Sequence, residues 1–329
     1  MRNKILITGG AGYIGSYLCS KLSKNYDLII VDNLVTGSVK NLKFGKFHNV
    51  DISNYKKLNS VFDKYKIDLV IHLAALVKVD ESILKPNKYW KTNLLGTLNI
   101  LNCMKNYNIK KILFASTAAV YEASNEKLNE SNKIKFINPY GETKFLSEEL
   151  IKLYSHLFKM NSIVFRFFNV SGANIKKKIG ERVKPPTHFI TILINNLIKN
   201  RYTTIFRGLK TFDKSGIRDY VHVDDICEAF VKAIKVYMIN KKNKNIFQVF
   251  NLGTGKGNST FEVVSAAMRL IKNKKFLIKK GNKRIGDQSI VVCDFKKAKK
   301  YLKWRPKNSK LNKIILSSYM WEKYLINEK

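Results

Sequence analysis

Residues 4–15 read Lys4-Ile5-Leu6-Ile7-Thr8-Gly9-Gly10-Ala11-Gly12-Tyr13-Ile14-Gly15, and this stretch decides the fold. Its first five residues are a short apolar run of strand formers. Glycines follow, and Leu18 and Leu22 then mark one face of an amphipathic segment. The reading is strand, glycine turn, helix. Gly9, Gly12 and Gly15 have the spacing G-x-x-G-x-x-G, which permits a tight turn and a close approach of backbone to a pyrophosphate. The helix N-terminus then faces the negative charge. A second apolar run, Leu28-Ile29-Ile30-Val31-Asp32, ends in an acid. It lies about 20 residues after the glycines, where a carboxylate accepts from the adenosine ribose hydroxyl. An acid there repels the extra phosphate of NADP, so the expected cofactor is NAD.

Strands and helices go on alternating. Phe47-His48-Asn49-Val50-Asp51-Ile52 reads as a third strand whose end reaches the adenine. Asp68-Leu69-Val70-Ile71-His72-Leu73-Ala74-Ala75 is a fourth, its alanines letting backbone pass close to the cofactor. Residues 86–107 read as one long helix containing Asn93. Lys111-Ile112-Leu113-Phe114-Ala115-Ser116-Thr117 is a fifth strand, and a sixth over 162–168 leads to Asn169. This pattern predicts an α/β fold: a Rossmann-type doubly wound parallel sheet with a smaller C-terminal α/β substrate domain. The ligand is expected at the carboxyl ends of the strands. The expected NAD-binding domain covers residues 1–170, with later segments at about 218–252 returning to it. Residues 171–329 are expected to be mainly the substrate domain.

Composition bounds the function. The chain has 329 residues, 45% of them hydrophobic, enough for a sizeable core. No apolar run approaches the ~18–20 residues of a membrane helix, and the chain enters a core strand at once, so no membrane partner and no signal peptide are expected. Cys19, Cys103, Cys227 and Cys293 are scattered without a C-x-x-C pair, which fits reduced thiols and a cytoplasmic location. His48, His72, His156, His188 and His222 show no metal-ligand clustering, so no metal is expected. The formal net charge is +37, with basic runs at 176–178, 241–244, 272–284 and 295–307. Such patches attract phosphate. Here the lysines are spread over many segments and no RNA-binding motif accompanies them, so a nucleic-acid partner is not expected. Steering of a doubly charged nucleotide sugar is a use the charge would serve.

Residues 138–144 read Asn-Pro-Tyr-Gly-Glu-Thr-Lys, and they carry the chemistry. Tyr140 and Lys144 are four apart, on one face of a helix beginning near Tyr140. An ammonium close to a phenol favours the phenolate and lowers a reference pKa of about 10. That makes a base able to take a proton from a sugar hydroxyl.

Together these residues resemble the extended short-chain dehydrogenase/reductase family, and the resemblance covers nearly the whole chain. It rests on residues 8–15, Asp32-Asn33-Leu34, 72–75, 116–121, 138–144, 166–173, 218–225 and 251–257. By that resemblance Tyr140 is the catalytic base, Lys144 positions the nicotinamide ribose and lowers the tyrosine pKa, and Thr117 hydrogen-bonds the sugar O4. Cofactor contacts fall on Gly9, Gly12, Tyr13, Ile14, Gly15, Asp32, Asn33, Asp51, Ile52, Leu73, Ala74, Ala75, Asn93, Lys144 and Phe168. In the substrate domain, Asn169 holds the sugar or its phosphate. Arg218 and Arg284 clamp the pyrophosphate of a UDP-sugar, a role that suits forked donors. Asp287 binds the uridine ribose, and Val291 limits the size of the sugar pocket.

The branch matched best epimerises UDP-sugars at C4. The implied activity interconverts UDP-glucose and UDP-galactose by transient oxidation by NAD, a 4-keto intermediate and hydride return, in an enzyme that is often a homodimer. Some positions depart from the family pattern. Thr211-Phe212-Asp213-Lys214 loses a glycine, Thr191 stands where proline is usual, and Glu122 follows Tyr121 where glycine is common. Valine at 291 is smaller than tyrosine, so an N-acetyl group is expected to fit. Alternatives at this point are an epimerase acting on UDP-GlcNAc and UDP-GalNAc or on a UDP-uronate, and a catalytically silent binding protein with an NAD(P) fold. A dehydratase would carry an Asp-Glu pair after Thr117, and Ala118-Ala119 stands there instead.

Overall fold

The strands, in chain order, are β1 (Lys4–Thr8), β2 (Asp27–Asp32), β3 (Lys46–Asn49), β4 (Leu69–His72), β5 (Lys111–Thr117), β6 (Asn161–Phe167), β7 (Asn169–Ser171), β8 (Thr203–Phe206), β9 (Ile217–His222), β10 (Phe247–Leu252), β11 (Gly257–Ser259), β12 (Ile278–Gly281) and β13 (Ile290–Val291). The helices are α1 (Tyr13–Leu22), α2 (Tyr55–Lys64), α3 (Val79–Leu84), α4 (Pro86–Tyr89), α5 (Gly96–Asn106), α6 (Pro139–Leu157), α7 (Phe189–Ile198), α8 (Val223–Ala233), α9 (Thr260–Ile271), α10 (Lys296–Tyr301) and α11 (Leu311–Asn327). The computed structural model describes residues 2–238, 247–272, 277–283 and 288–328.

Two compact units divide the chain. The first takes in Met1–Val120, Phe136–Arg166 and Cys227–Phe250, and the second Tyr121–Lys135, Phe167–Ile226 and Asn251–Lys329. The division departs from the sequence expectation in several places, the first being that the run expected to end at residue 170 ends at Arg166. Residues 121–135 belong to the second unit because Leu128 N–H donates to the Val292 carbonyl at 2.8 Å and the Tyr121 hydroxyl to Asn251 Oδ1 at 2.7 Å. The return to the first unit begins at Cys227 rather than at residue 218, because β9 pairs with β7, β11 and β13 in the second unit's own sheet.

In the first unit a seven-stranded sheet has the order β3-β2-β1-β4-β5-β6-β10. The order reverses beside β1, the switch point at which a doubly wound sheet binds its ligand. The pairs β1–β2, β1–β4, β2–β3 and β4–β5 are all parallel. Parallel strands covered on both faces need continuous apolar runs, and β1, β2 and β4 supply them. Leu6, Val31, Val70, Ile112 and Val164 pack with Leu58, Phe62, Ile100 and Met104 from α2 and α5 into one core.

The strand expected over 47–52 ends at Asn49, and the helix expected over 86–107 is not continuous. α4 runs into a π-helical turn, Trp90–Leu95, before α5 begins. Such a bulge aims side chains that a regular helix would direct elsewhere. The one it aims is Asn93.

The second unit has its own core, in which Ile190, Leu193, Ile194 and Leu197 of α7 meet Val263 and Ala267 of α9 and Ile314 and Ile315 of α11. Its small sheet is built around β9, which is parallel to β7 and β13 and antiparallel to β11.

Candidate active site

The glycine turn is packed to its limit. A side-chain carbon on Gly15 would lie 2.1 Å from the Gly9 carbonyl oxygen, and one on Gly9, whose φ is +73°, would lie 2.7 Å from the Ala74 nitrogen. The turn therefore brings the ends of β1 and β4 and the start of α1 together, and only glycine allows it. Gly12 caps α1 in extended conformation with no side-chain acceptor, so the polarity of the first helical N–H groups is directed at the turn.

Asp32 ends β2 as expected, and it does more than the sequence suggested. Its carboxylate accepts from Ala11 N–H at 3.0 Å and Leu34 N–H at 2.8 Å, fastening the glycine loop to the next strand. Burial pushes this carboxyl above its usual range, and the two backbone donors pull against that. A carboxylate has about four acceptor positions, so capacity remains for ribose hydroxyls. Next to it, Asn33 Nδ2 donates to Asp51 Oδ2 at 3.0 Å, and Ser53 N–H donates to Asp51 Oδ1 at 2.8 Å. Leu73 and Ala74 N–H donate to Thr8 at 3.1 and 3.3 Å, which holds the end of β4 against β1. Tyr13 and Ile52 are buried beside this surface. A glycine turn too tight for side chains, an uncapped helix start and an acid at the end of the second strand form a donor and acceptor set that fits NAD.

Asn93 sits where the sequence reading put a cofactor contact, but its amide is already engaged within the protein. Oδ1 accepts from Leu76 N–H at 2.8 Å, and Nδ2 donates to the Leu76 carbonyl at 3.0 Å and the Thr143 hydroxyl at 3.1 Å. The π turn thus clamps the segment after Ala75 and the start of α6 to one side chain.

α6 begins at an Asn138 cap that accepts from Gly141 N–H at 2.8 Å, with Pro139 in its first turn. Tyr140 and Lys144 then share one face. The Thr117 hydroxyl at the end of β5 donates to the Tyr140 phenol oxygen. Lys144 is not among the groups that lower this phenol, contrary to the sequence expectation. Burial pushes Tyr140 up, and only the Thr117 hydrogen bond pulls it back. Lys144 is 3% exposed, and its Nζ lies 4.0 Å from the centroid of the Phe114 ring. Burial pulls its ammonium down to about 7, against the Glu148 carboxylate, which raises it. His72, at the end of β4, is neutral: burial and Lys144 push it well below its ordinary value, and Thr8 and Thr97 hydroxyls meet its two nitrogens at 2.8 and 3.0 Å.

Glu148 and Arg166 escaped the sequence reading. Arg166 Nη2 donates to Glu148 Oε2 at 2.6 Å, and its Nε lies 3.1 and 3.2 Å from the two carboxylate oxygens. The Ser116 hydroxyl donates to Oε1. Two signals were available. Glu148 follows Lys144 by four on the same helix, and Arg166 interrupts an apolar strand where a buried cation requires a partner.

In the second unit, Val291 of β13 is paired in register with Arg218 of β9, and Asn169 of β7 with Tyr220. Three of the residues expected at the substrate therefore lie on one small sheet. Phe168 is buried beside them, its N–H donating to the Leu252 carbonyl at 3.1 Å. Arg284 and Asp287 lie outside the described residues. Among the described residues no group of His, Cys, Asp or Glu is arranged to hold a metal, and no helix is long and apolar enough to cross a membrane.

Residues 5–253 match the NAD dependent epimerase/dehydratase family. A UDP-glucose 4-epimerase of Lactobacillus helveticus is 34% identical over 325 residues, 97% of each chain. The crystal structure of UDP-glucose 4-epimerase from Bifidobacterium longum in complex with NAD+ and UDP superposes with a TM-score of 0.92 at 30% identity, over 99% of this chain and 100% of that one. The UDP-Glc/GlcNAc 4-epimerase of Campylobacter jejuni superposes with a TM-score of 0.83 at 32% identity, over 98% of this chain and 99% of that one.

Proposed function

Because the chain belongs to the NAD dependent epimerase/dehydratase family, we propose that Thr117, Tyr140 and Lys144 carry the proton transfers of an NAD-dependent UDP-glucose 4-epimerase. The observation that supports these roles most directly is the hydrogen bond from Thr117 to the Tyr140 phenol, at the carboxyl end of β5, with Lys144 one helical turn further on. The epimerase function is the one shared by the relatives that match almost end to end. It is favoured over a silent binding protein and over the uronate reading.

The glycine turn, Asp32, Asn33, Asp51 and the end of β4 would hold NAD, which would supply a reversible hydride acceptor for C4 of the sugar. The chain's own residues handle the proton. The Tyr140 phenol oxygen takes it from the O4 hydroxyl and later returns it to the same oxygen, while Thr117 orients both hydroxyl groups. Lys144 holds the nicotinamide ribose, and its charge favours the phenolate once substrate has displaced water. Asn169, Arg218, Arg284 and Asp287 bind the sugar's UDP portion. That binding is independent of which sugar face is presented, so one site serves both epimers. Turnover of UDP-galactose to UDP-glucose by wild type and Tyr140→Phe, with bound NAD assayed after denaturation, tests the assignment. Undiminished turnover in the variant would sink it.

Val291 supports a second activity on N-acetylated UDP-sugars. It is a small side chain in register with Arg218, and a similar chain in Campylobacter jejuni carries Glc/GlcNAc specificity in its name. Absence of UDP-GalNAc turnover would remove this reading. A homodimer through the helical segments 86–107 and 141–158 belongs to the same proposal; Leu95 of the π turn and Leu153 and Leu157 of α6 are exposed there, and sedimentation would test it. A cytoplasmic location is supported by four buried cysteines that form no disulfide, and fractionation would test it.

A further inference from the structure

The first unit encloses two buried cations, Lys144 and Arg166, around one buried carboxylate. Glu148 is 1% exposed, and Arg166 and Ser116 both donate to it, while Lys144 acts on it by charge. Its interaction with Lys144, one turn earlier on α6, is therefore through space rather than by a hydrogen bond. The groups around Lys144 are few. α6 itself contributes Tyr140 and Glu148, β4 the neutral His72, β5 the uncharged ring of Phe114, and β6 contributes Arg166 through Glu148. Tyr89 of α4 faces Tyr140 and is held protonated by burial and Glu81. Among the described residues, Glu148 is the carboxylate whose charge acts on Lys144. A guanidinium keeps its proton under all relevant conditions, whereas an ammonium in an apolar site gives its proton up. If the carboxylate lost its charge, two like charges would face each other out of water, and Lys144 is the one able to become neutral.

We propose that Glu148 is a positioning residue of the epimerase: fixed by Arg166 and Ser116, it favours the charged form of Lys144 in a buried site and sets the upper pH limit of activity. Ser116 adjoins Thr117 on β5, so the same contact ties the carboxylate to the strand end that presents the Thr117 hydroxyl to Tyr140. This rests on the role given to Lys144 above, and the test separates the two.

Turnover of UDP-galactose is measured from acid to alkaline pH for wild type, Glu148→Gln, Glu148→Asp and Lys144→Met. In parallel, the Lys144 side-chain NMR resonance, identified by its loss in Lys144→Met, is titrated. In Glu148→Gln the alkaline fall in kcat and the Lys144 titration are both expected at a pH lower by about one unit, a tenfold change in proton concentration, with KM little altered. Glu148→Asp, which keeps the charge, restores the wild-type limb at reduced kcat. If Glu148→Gln does not fold because Arg166 is stranded, the double variant Glu148→Gln with Arg166→Met removes the stranded cation and is expected to show the same lowered titration. A wild-type alkaline limb and Lys144 titration in whichever of these variants folds, with only the amplitude reduced, would overturn the inference. Full activity of Lys144→Met would overturn the role of Lys144 itself and the inference with it.

Discussion

Each unit buries a carboxylate against a cation, and the two cations differ in kind. In the first unit Glu148 faces Arg166, with both side chains almost wholly out of water. In the second, Glu181, 4% exposed, faces His188, whose side chain is 36% exposed, at 2.7 Å. Arginine cannot shed its proton and histidine can. Arg166 is a permanent cation near the proposed proton-transfer residues. The second pair itself titrates. Burial alone would depress His188, but the Glu181 carboxylate outweighs it and raises the imidazole above its ordinary value. Glu181 lies below its ordinary value although burial opposes this, because His188, Thr191 and Thr187 all favour its charged form. Glu148 is thus paired with a cation that is permanent, and Glu181 with one that responds to pH.

That contrast can be broken most severely at Tyr140. If proton transfer belongs to the first unit, Tyr140→Phe lowers kcat by about 10²–10⁴-fold, while His188→Asn leaves kcat within a few-fold of wild type. A steady-state comparison in which His188→Asn lost as much as Tyr140→Phe would erase the distinction.

Arg166→Met is the next largest effect. It leaves Glu148 buried without its cation, and removing one partner of such a pair costs about 3–5 kcal/mol. Denaturant titration should show it, and a loss below about 1 kcal/mol would mean that water reaches Glu148. Thr191→Val sharpens the second region. Threonine here donates to Glu181 Oε2 at 2.5 Å, and losing that bond should cost about 1–2 kcal/mol.

The smallest effect is on pH-dependent stability. His188 has a raised folded pKa, so its contribution is complete below its ordinary 6.5 and lost as pH rises through the raised value. Glu181 has a lowered folded pKa, so its contribution is present above its ordinary 4.5 and lost as pH falls through the lowered value. The pair therefore supports the fold most between those ordinary values, by about 1 kcal/mol or less given the exposure of the imidazole. Wild type and His188→Gln should converge in unfolding midpoint as the solution is made alkaline; a constant difference would count against the titration.

Much of this was legible in sequence because it depends on local pattern. The glycine turn, the acid ending β2, the apolar runs of β1, β2, β4 and β5 and the Tyr140–Lys144 spacing each lie within a few residues of chain, and each is placed as read. The errors share a different cause. The π turn at 90–95 and the closure of Asn93 onto Leu76 and Thr143 reflect contacts with segments remote in sequence, which no local period encodes. The raised phenol of Tyr140 follows from burial, and spacing says nothing of dielectric.

The sequence by itself determined the layered α/β fold, the order in which its strands and helices form, and the residues able to move a proton or hold a dinucleotide. Residue type and periodicity carry that information over short distances. Only the tertiary structure decided the electrostatic state of those residues. The charge of Lys144 is favoured by Glu148 of its own helix, and Glu148 is held in place by Ser116 and Arg166, on strands 32 residues before it and 18 after. A buried charge is governed by what surrounds it in space, where water is absent and each neighbour counts.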